Sequence, residues 1–216
     1  ESLKILEAEL KKKESELHDL AGQLSTKRKS ASKKFATRVN QELVDLNMKG
    51  AELLIEVRPL ETLNSTGGDE VLFMIKNSPK DEPRPISRVA SGGELSRIML
   101  AIKQVIVSHG WPMTYLFDEV DTGVSGPTAE KVGKKLKSIA RAHQVICITH
   151  LPQVAAYGDA HFLISKDVKK GLVHSEVTEL SKEDRVKELG RLISGEKVTA
   201  SSLTHAREML KSSRTI

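Results

Sequence analysis

The chain of 216 residues is 38% apolar, enough for one globular domain with an accessory element and too much for wholesale disorder. Aromatics at 3% argue against a surface that works by stacking bases or sugars, and a net charge of +5 permits contact with phosphates without demanding it. The one cysteine, Cys147, excludes an internal disulfide and every zinc cage built from several thiolates.

The opening segment repeats leucine at heptad spacing. Leu3, Leu10, Leu17 and Leu24 take one site, Leu6 and Leu20 the other, and Lys13 interrupts. A helix of this kind cannot bury its own stripe, so the pattern predicts an arm of coiled coil with a partner helix. No charged-then-apolar leader opens the chain, and the heptads are already running at Glu1, as expected of a piece of a longer protein. No stretch is apolar enough to span a bilayer. From Ser25 to Gln41 the chain carries Lys27, Arg28, Lys29, Lys33, Lys34 and Arg38 and no acid. The ordinary reading of such a run is a solvated helix face, and the alternative is a DNA contact. Phe35, Val39, Leu43 and Leu46 continue a helical stripe toward Gly50. The pattern divides the chain into residues 1–48, a coiled-coil arm with a basic connecting helix, and residues 49–216, an α/β lobe.

After Gly50 the period changes. Leu53 to Val57 and Val71 to Ile75 read as strands, parted by a turn at Ser65-Thr66-Gly67-Gly68. Three prolines between Asn77 and Pro85 predict a loop. A helix is expected from Glu94 to His109, a strand over Met113 to Phe117, a helix over Thr128 to Ala142 and a strand over Val145 to Thr149. Phe162 to Ser165 and Leu172 to Val177 read as a strand pair, with Lys169-Lys170-Gly171 as the turn. Helices near Glu183 to Ile193 and Thr199 to Lys211 follow. Strands alternating with helices predict an α/β layer with antiparallel strands at its edge. Cys147, in the apolar run Val145 to Ile148, reads as a buried core thiol, in keeping with a reducing cytoplasm.

Three clusters carry chemistry. Ser91-Gly92-Gly93-Glu94 opens a helix, where free N–H groups and the helix dipole favour an anion and glycine lets phosphate oxygens approach. Alone, the same residues are more often a helix capped by Ser91 with the glycines in a tight turn. Tyr115-Leu116-Phe117 ends in Asp118-Glu119, which places two acids at the carboxyl edge of a sheet. Strand alternation would point them to different sides, Asp118 to hold Mg²⁺ and Glu119 to polarise a water. Alone, the pair could simply cap the next helix. Cys147-Ile148-Thr149 ends in His150, which could hydrogen-bond a terminal phosphate if its strand neighbours the first.

In this order and on these elements, the three clusters resemble the signature motif, Walker B motif and switch histidine of ABC and SMC ATPases. Ser91 to Arg97, Asp118 to Gly126 and Thr149 to Ala155 look like the RecN family in particular, as do Glu188 to Leu192 and Val198-Thr199. The resemblance runs from about Gly50 onward. It implies the C-terminal lobe of an ABC/SMC-type P-loop ATPase head with an N-terminal coiled-coil helix, acting in DNA double-strand break repair and recombination in the cytoplasm, at the nucleoid. Asp118 would then be the metal ligand for Mg²⁺, Glu119 and His150 the catalytic residues, and Ser91 to Glu94 the contact to ATP held by a second head. Most SMC heads carry an Asp seven residues after the Walker B Asp. Here Ser125 stands there, leaving Asp121 as a weaker interfacial candidate.

No Gly-x-x-x-x-Gly-Lys-Ser/Thr run occurs in the sequence. In the RecN family that loop lies in the N-terminal half, so the implied partners are that half, a second head in an ATP-dependent homodimer, and DNA, with no membrane. The chain by itself is expected to be inactive. Two other chemistries fail. Ser125 in Gly123-Val124-Ser125-Gly126 is followed by Pro127 where a nucleophile elbow needs glycine. His143, His150 and His161 lack the helical spacing of a metal site. The competing readings are a head fragment of another SMC-like ATPase and a non-enzymatic coiled-coil or DNA-binding module.

Overall fold

The computed structural model describes residues 2–106, 111–169 and 172–214. Helix α1 runs unbroken from Ser2 to Asp45, so the heptad arm and the basic run are one 44-residue helix. No proline interrupts it, and Ala, Leu, Lys and Glu dominate its composition. It ends where Asn47 adopts a left-handed φ of 60° and the Met48 N–H donates to the Leu43 carbonyl at 3.0 Å, a Schellman-type stop.

The chain divides into two compact units. One comprises residues 1–44 with 48–90, and the other Asp45–Asn47 with residues 91–216. In the first, β1 (Glu52–Asn64) and β2 (Gly67–Lys76) form an antiparallel hairpin with Leu53 opposite Ile75. Both strands outrun their apolar cores, because antiparallel pairing continues through polar residues such as Arg58 and Asp69 without needing burial. The proline-rich segment, expected as a loop, contributes the two-residue strand β3 (Arg84–Pro85) to the β2 edge. Pro85 is tolerated there because an edge strand leaves one row of N–H groups unused.

Helix α1 lies along this hairpin. Val39 and Leu43 are buried from the helix, as are Leu53 and Ile75 from the strands. Phe35 packs edge-on against Phe73, with ring centroids 6.4 Å apart. The Asn40 side chain bonds both backbone groups of Leu53, and Ser25 and Arg28 both donate to the buried Asp69 carboxylate. The heptad leucines from Leu3 to Leu24 are exposed.

The second unit alternates helix and strand as the sequence predicts: α2 (Gly92–Ile106), β4 (Thr114–Phe117), α3 (Gly126–Ala140) and β5 (Gln144–Cys147). A four-residue helix not foreseen in the sequence, α4 (Pro152–Ala155), precedes the ribbon β6 (Phe162–Lys169) and β7 (Leu172–Glu179) and the closing helices α5 (Lys182–Ser194) and α6 (Ala200–Ser212). The expected end of α2 at His109 and most of the Lys169-Lys170-Gly171 turn lie outside the described residues. Among the described residues the strands do not form the single layer expected from their alternation. They form a three-stranded antiparallel sheet, a parallel β4–β5 pair and the β6–β7 ribbon.

Ile98, Leu100 and Ala101 from α2 and Val132 and Ile139 from α3 are fully buried. Leu189 of α5 and Ala206 of α6 pack with Ala156. Thr199 caps α6 in a reciprocal box with Ser202, and Ser181 caps α5. No helix among the described residues is long and apolar enough to cross a membrane.

Candidate functional site

Parallel pairing puts the carboxyl ends of two strands side by side. Phe117 stands opposite Cys147, and the Ile148 N–H donates to the Phe117 carbonyl at 3.0 Å, so the Asp118-Glu119 loop and the Thr149-His150 loop leave the same edge. Ligands of α/β folds collect at this edge.

The N-terminus of α2 meets the acidic loop. Ser91 accepts the Glu94 N–H on its hydroxyl at 3.3 Å and the Leu95 N–H on its carbonyl at 3.0 Å, which caps the helix. The Ser96 hydroxyl donates to the Asp118 carbonyl at 2.6 Å, and the Arg97 guanidinium donates to the Thr122 carbonyl. Burial holds the Arg97 guanidinium below its ordinary range, and the nearby Glu94 charge opposes that shift. Two glycines make this approach possible. A Cβ on Gly93 would stand 2.9 Å from the Thr122 Cβ and 3.1 Å from the Glu119 carbonyl oxygen, and one on Gly92 would collide with the Glu119 carboxylate. Ser96 and Arg97 were legible only as part of the motif, since nothing in their spacing announces that they grip the next loop.

Glu119 has a left-handed φ of 57°. Strand β4 ends at Phe117, so the alternation expected to separate Asp118 from Glu119 does not reach them, and the turn sets their directions instead. A non-glycine residue held at positive φ is strained, and such strain gathers at functional loops. Asp118 and Glu119 are both exposed.

Asp121, expected at an interface, is 2% exposed and faces inward. Its Oδ2 accepts from the Thr149 hydroxyl and from the His150 N–H at 3.2 Å, and the His150 Nδ1 lies 3.4 Å from the same oxygen. The Thr149 hydroxyl oxygen in turn accepts the Leu151 N–H. Asp121 therefore ties the acidic loop to the histidine loop, and His150 is left exposed above it. Thr149 went unassigned in the sequence, although a hydroxyl one residue before the histidine is the donor such a buried carboxylate needs.

Cys147, at the end of β5, is half-buried. Burial first, then the charges of Asp121 and Asp118, push its thiol up to about 12. Among the described residues no three His, Cys, Asp or Glu side chains converge into a metal cage. A single exposed acid fits Mg²⁺, which keeps several waters and takes one or two carboxylates beside substrate phosphates.

No protein-family model matches the chain. It is 40% identical over 207 residues to the DNA repair protein RecN of Bacillus subtilis, covering 88% of this chain and 36% of that protein. It is 36% identical over 211 residues to RecN of Haemophilus influenzae, covering 97% of this chain and 38% of that protein. RecN of Streptomyces coelicolor is 38% identical over 92% of the chain. The chain thus spans little more than a third of the relatives it matches. Among solved structures, the Smc head domain with an extended coiled coil from Pyrococcus furiosus, bound to the C-terminal domain of ScpA, aligns over 88% of this chain and 46% of its own with a TM-score of 0.55 and 22% identity. The Smc head with coiled coil and joint from Pyrococcus yayanosii aligns over 91% and 36% with a TM-score of 0.53 and 22% identity.

Proposed function

The chain is RecN-like along most of its length and has the fold of part of an SMC head, and on that premise we propose that it is the lobe of a DNA-repair ATPase head that brings the hydrolytic side chains to a nucleotide cradled elsewhere. The observation that carries this reading is the shared edge, where β4 and β5 deliver the Asp118-Glu119 and Thr149-His150 loops side by side against the N-terminus of α2.

The roles follow from placement. Asp118, exposed at the strand end, would hold Mg²⁺, which neutralises charge on the transferring phosphoryl group. Glu119 would take a proton from the attacking water. His150, its backbone N–H and ring both against Asp121, would keep that water in line, which makes Asp121 a positioning residue. Ser91 to Glu94 would present the positive end of α2 to ATP bound by a second head. ATP would then join two heads, and hydrolysis would release them.

Two surfaces support the need for further polypeptide. Leu116, Ile146 and Ile148 leave an apolar face of the parallel pair 65%, 47% and 49% exposed, although parallel sheets are ordinarily covered on both faces. The exposed heptad leucines of α1 ask for a second helix. The N-terminal half of the same protein, carrying the phosphate-cradling loop, would meet both needs. DNA is the proposed substrate of the assembled protein, and the exposed cations Lys27, Lys29, Lys33, Lys34 and Arg38 offer it a phosphate contact.

The test is reconstitution. The chain should turn over no ATP alone and should do so when co-expressed with the N-terminal half. A mixture that binds ATP yet hydrolyses none would overturn the assigned chemistry. Tight DNA binding by the chain alone, with a steep salt dependence and no ATPase in the mixture, would favour the binding-module reading.

A further inference from the structure

Away from the β4–β5 edge, the end of α3, the turn after α4, α5 and the end of α6 enclose a cavity of about 350 Å³. Lys137, Arg185 and Arg214 line it against one acid, Asp159. Asp159 is already paired with Lys137.

Arg185 is the anomaly. It is 8% exposed, and among the described residues its hydrogen-bond partners are neutral backbone carbonyls. Its guanidinium donates to the carbonyl oxygens of Asp159 at 3.2 Å, Gly158 at 2.8 Å and Ala155 at 3.5 Å, while its Nε is buried with no partner. These bonds tie down the turn after α4 but leave the charge unmatched. A buried cation ordinarily has a counter-charge, because desolvation is otherwise too costly. Burial and then the repulsion of Arg214 hold its guanidinium below its ordinary range, and the Asp159 charge opposes them. The neighbouring His161 imidazole is also pushed below its ordinary range, by burial first and then by Arg185.

We propose that this cavity is a phosphate-binding site, independent of the nucleotide edge, in which Arg185, Arg214 and Lys137 surround the phosphate. Three cations and one acid leave two positive charges. A phosphate dianion matches them, a carboxylate offsets only half, and an internal phosphodiester of nucleic acid likewise carries only one charge. Arginine suits the task because its planar donors match phosphate oxygens. The volume exceeds that of inorganic phosphate, so the phosphate end of a small phosphomonoester fits as well.

The experiment is thermal melting of the chain in phosphate-free buffer, with inorganic phosphate titrated against chloride at matched ionic strength. Saturating phosphate should raise the melting temperature by about 3 °C beyond the chloride control. Arg214→Gln, at an exposed position, should fold with an unchanged or higher melting temperature without phosphate, since it removes a repulsion, and should lose most of the phosphate response. Arg185→Lys keeps the charge but not the fork and should weaken the response several-fold. Glycerol phosphate shifting the chain at tenfold lower concentration than inorganic phosphate would assign the site to a phosphomonoester, and the reverse to free phosphate. The proposal is overturned if phosphate does no more than chloride, if acetate does as much as phosphate, or if Arg214→Gln responds like the unaltered chain.

Discussion

The two β elements β1–β2 and β4–β5 are built on opposite terms. The antiparallel hairpin is long, α1 packs on it through Phe35 and Asn40, and Leu53 and Ile75 are completely buried. The parallel pair is four residues per strand, and its sequences, Thr-Tyr-Leu-Phe and Gln-Val-Ile-Cys, are apolar on both faces. Only one face is covered, and Leu116 and Ile146 stay open. An antiparallel hairpin can close a small core with one helix, whereas a parallel pair belongs inside a larger sheet. The contrast separates a core that the chain closes by itself from an apolar face that stays open.

The sharpest way to break the contrast is functional. In the reconstituted head, Glu119→Gln should lower ATP turnover by about 10²- to 10⁴-fold while nucleotide binding survives, because only water activation is removed. Normal hydrolysis by that variant would show that Glu119 is not the base. The structural counterpart compares two truncations. Leu53→Ala, in the closed hairpin, should cost about 2–5 kcal/mol in chemical denaturation of the chain. Ile146→Ala, on the open face, should stay within about 0.5 kcal/mol in the chain alone and weaken association with the N-terminal half. Equal costs in the isolated chain would erase the distinction. Gly93→Ala is next in size, at about 1–3 kcal/mol, since a Cβ there must push aside Thr122 or the Glu119 backbone. A melting temperature unchanged by that substitution would mean that α2 does not grip the acidic loop as described.

These comparisons also show where the sequence was readable. The hairpin, α2, α3 and the last two helices follow from the period of their apolar residues and the turns between them, and the heptads of α1 are open to view. The three clusters were found because each sits where a strand or a turn hands over to the next element. What could not be read arises from tertiary contact. Glu119 points where a left-handed turn sends it and not where strand alternation would. Asp121 is buried because Thr149 and His150, almost thirty residues away in sequence, both donate to it. The expected single layer is a set of separate sheets, because apolar alternation marks a strand without naming its neighbour.

The smallest expected effect tests the convergence at the edge most directly. Cys147 has a thiol pushed up to about 12, by burial first and then by Asp121 and Asp118. Between its ordinary value of 9.0 and about 12 the folded chain keeps a proton that the unfolded chain has lost, so this group makes the fold less stable as pH rises through that window. Alkylation by iodoacetamide at mildly alkaline pH should therefore be at least about tenfold slower in the folded chain than in urea, since the thiolate is the nucleophile. Asp118→Asn removes one of the two negative neighbours from an exposed position, without touching the Thr149 and His150 bonds to Asp121. It should speed labelling of the folded chain a few-fold while leaving the melting temperature alone. Unchanged labelling would mean that the Asp118 charge is not felt at the end of β5, and the two loops would then lack the common edge on which the assigned chemistry depends.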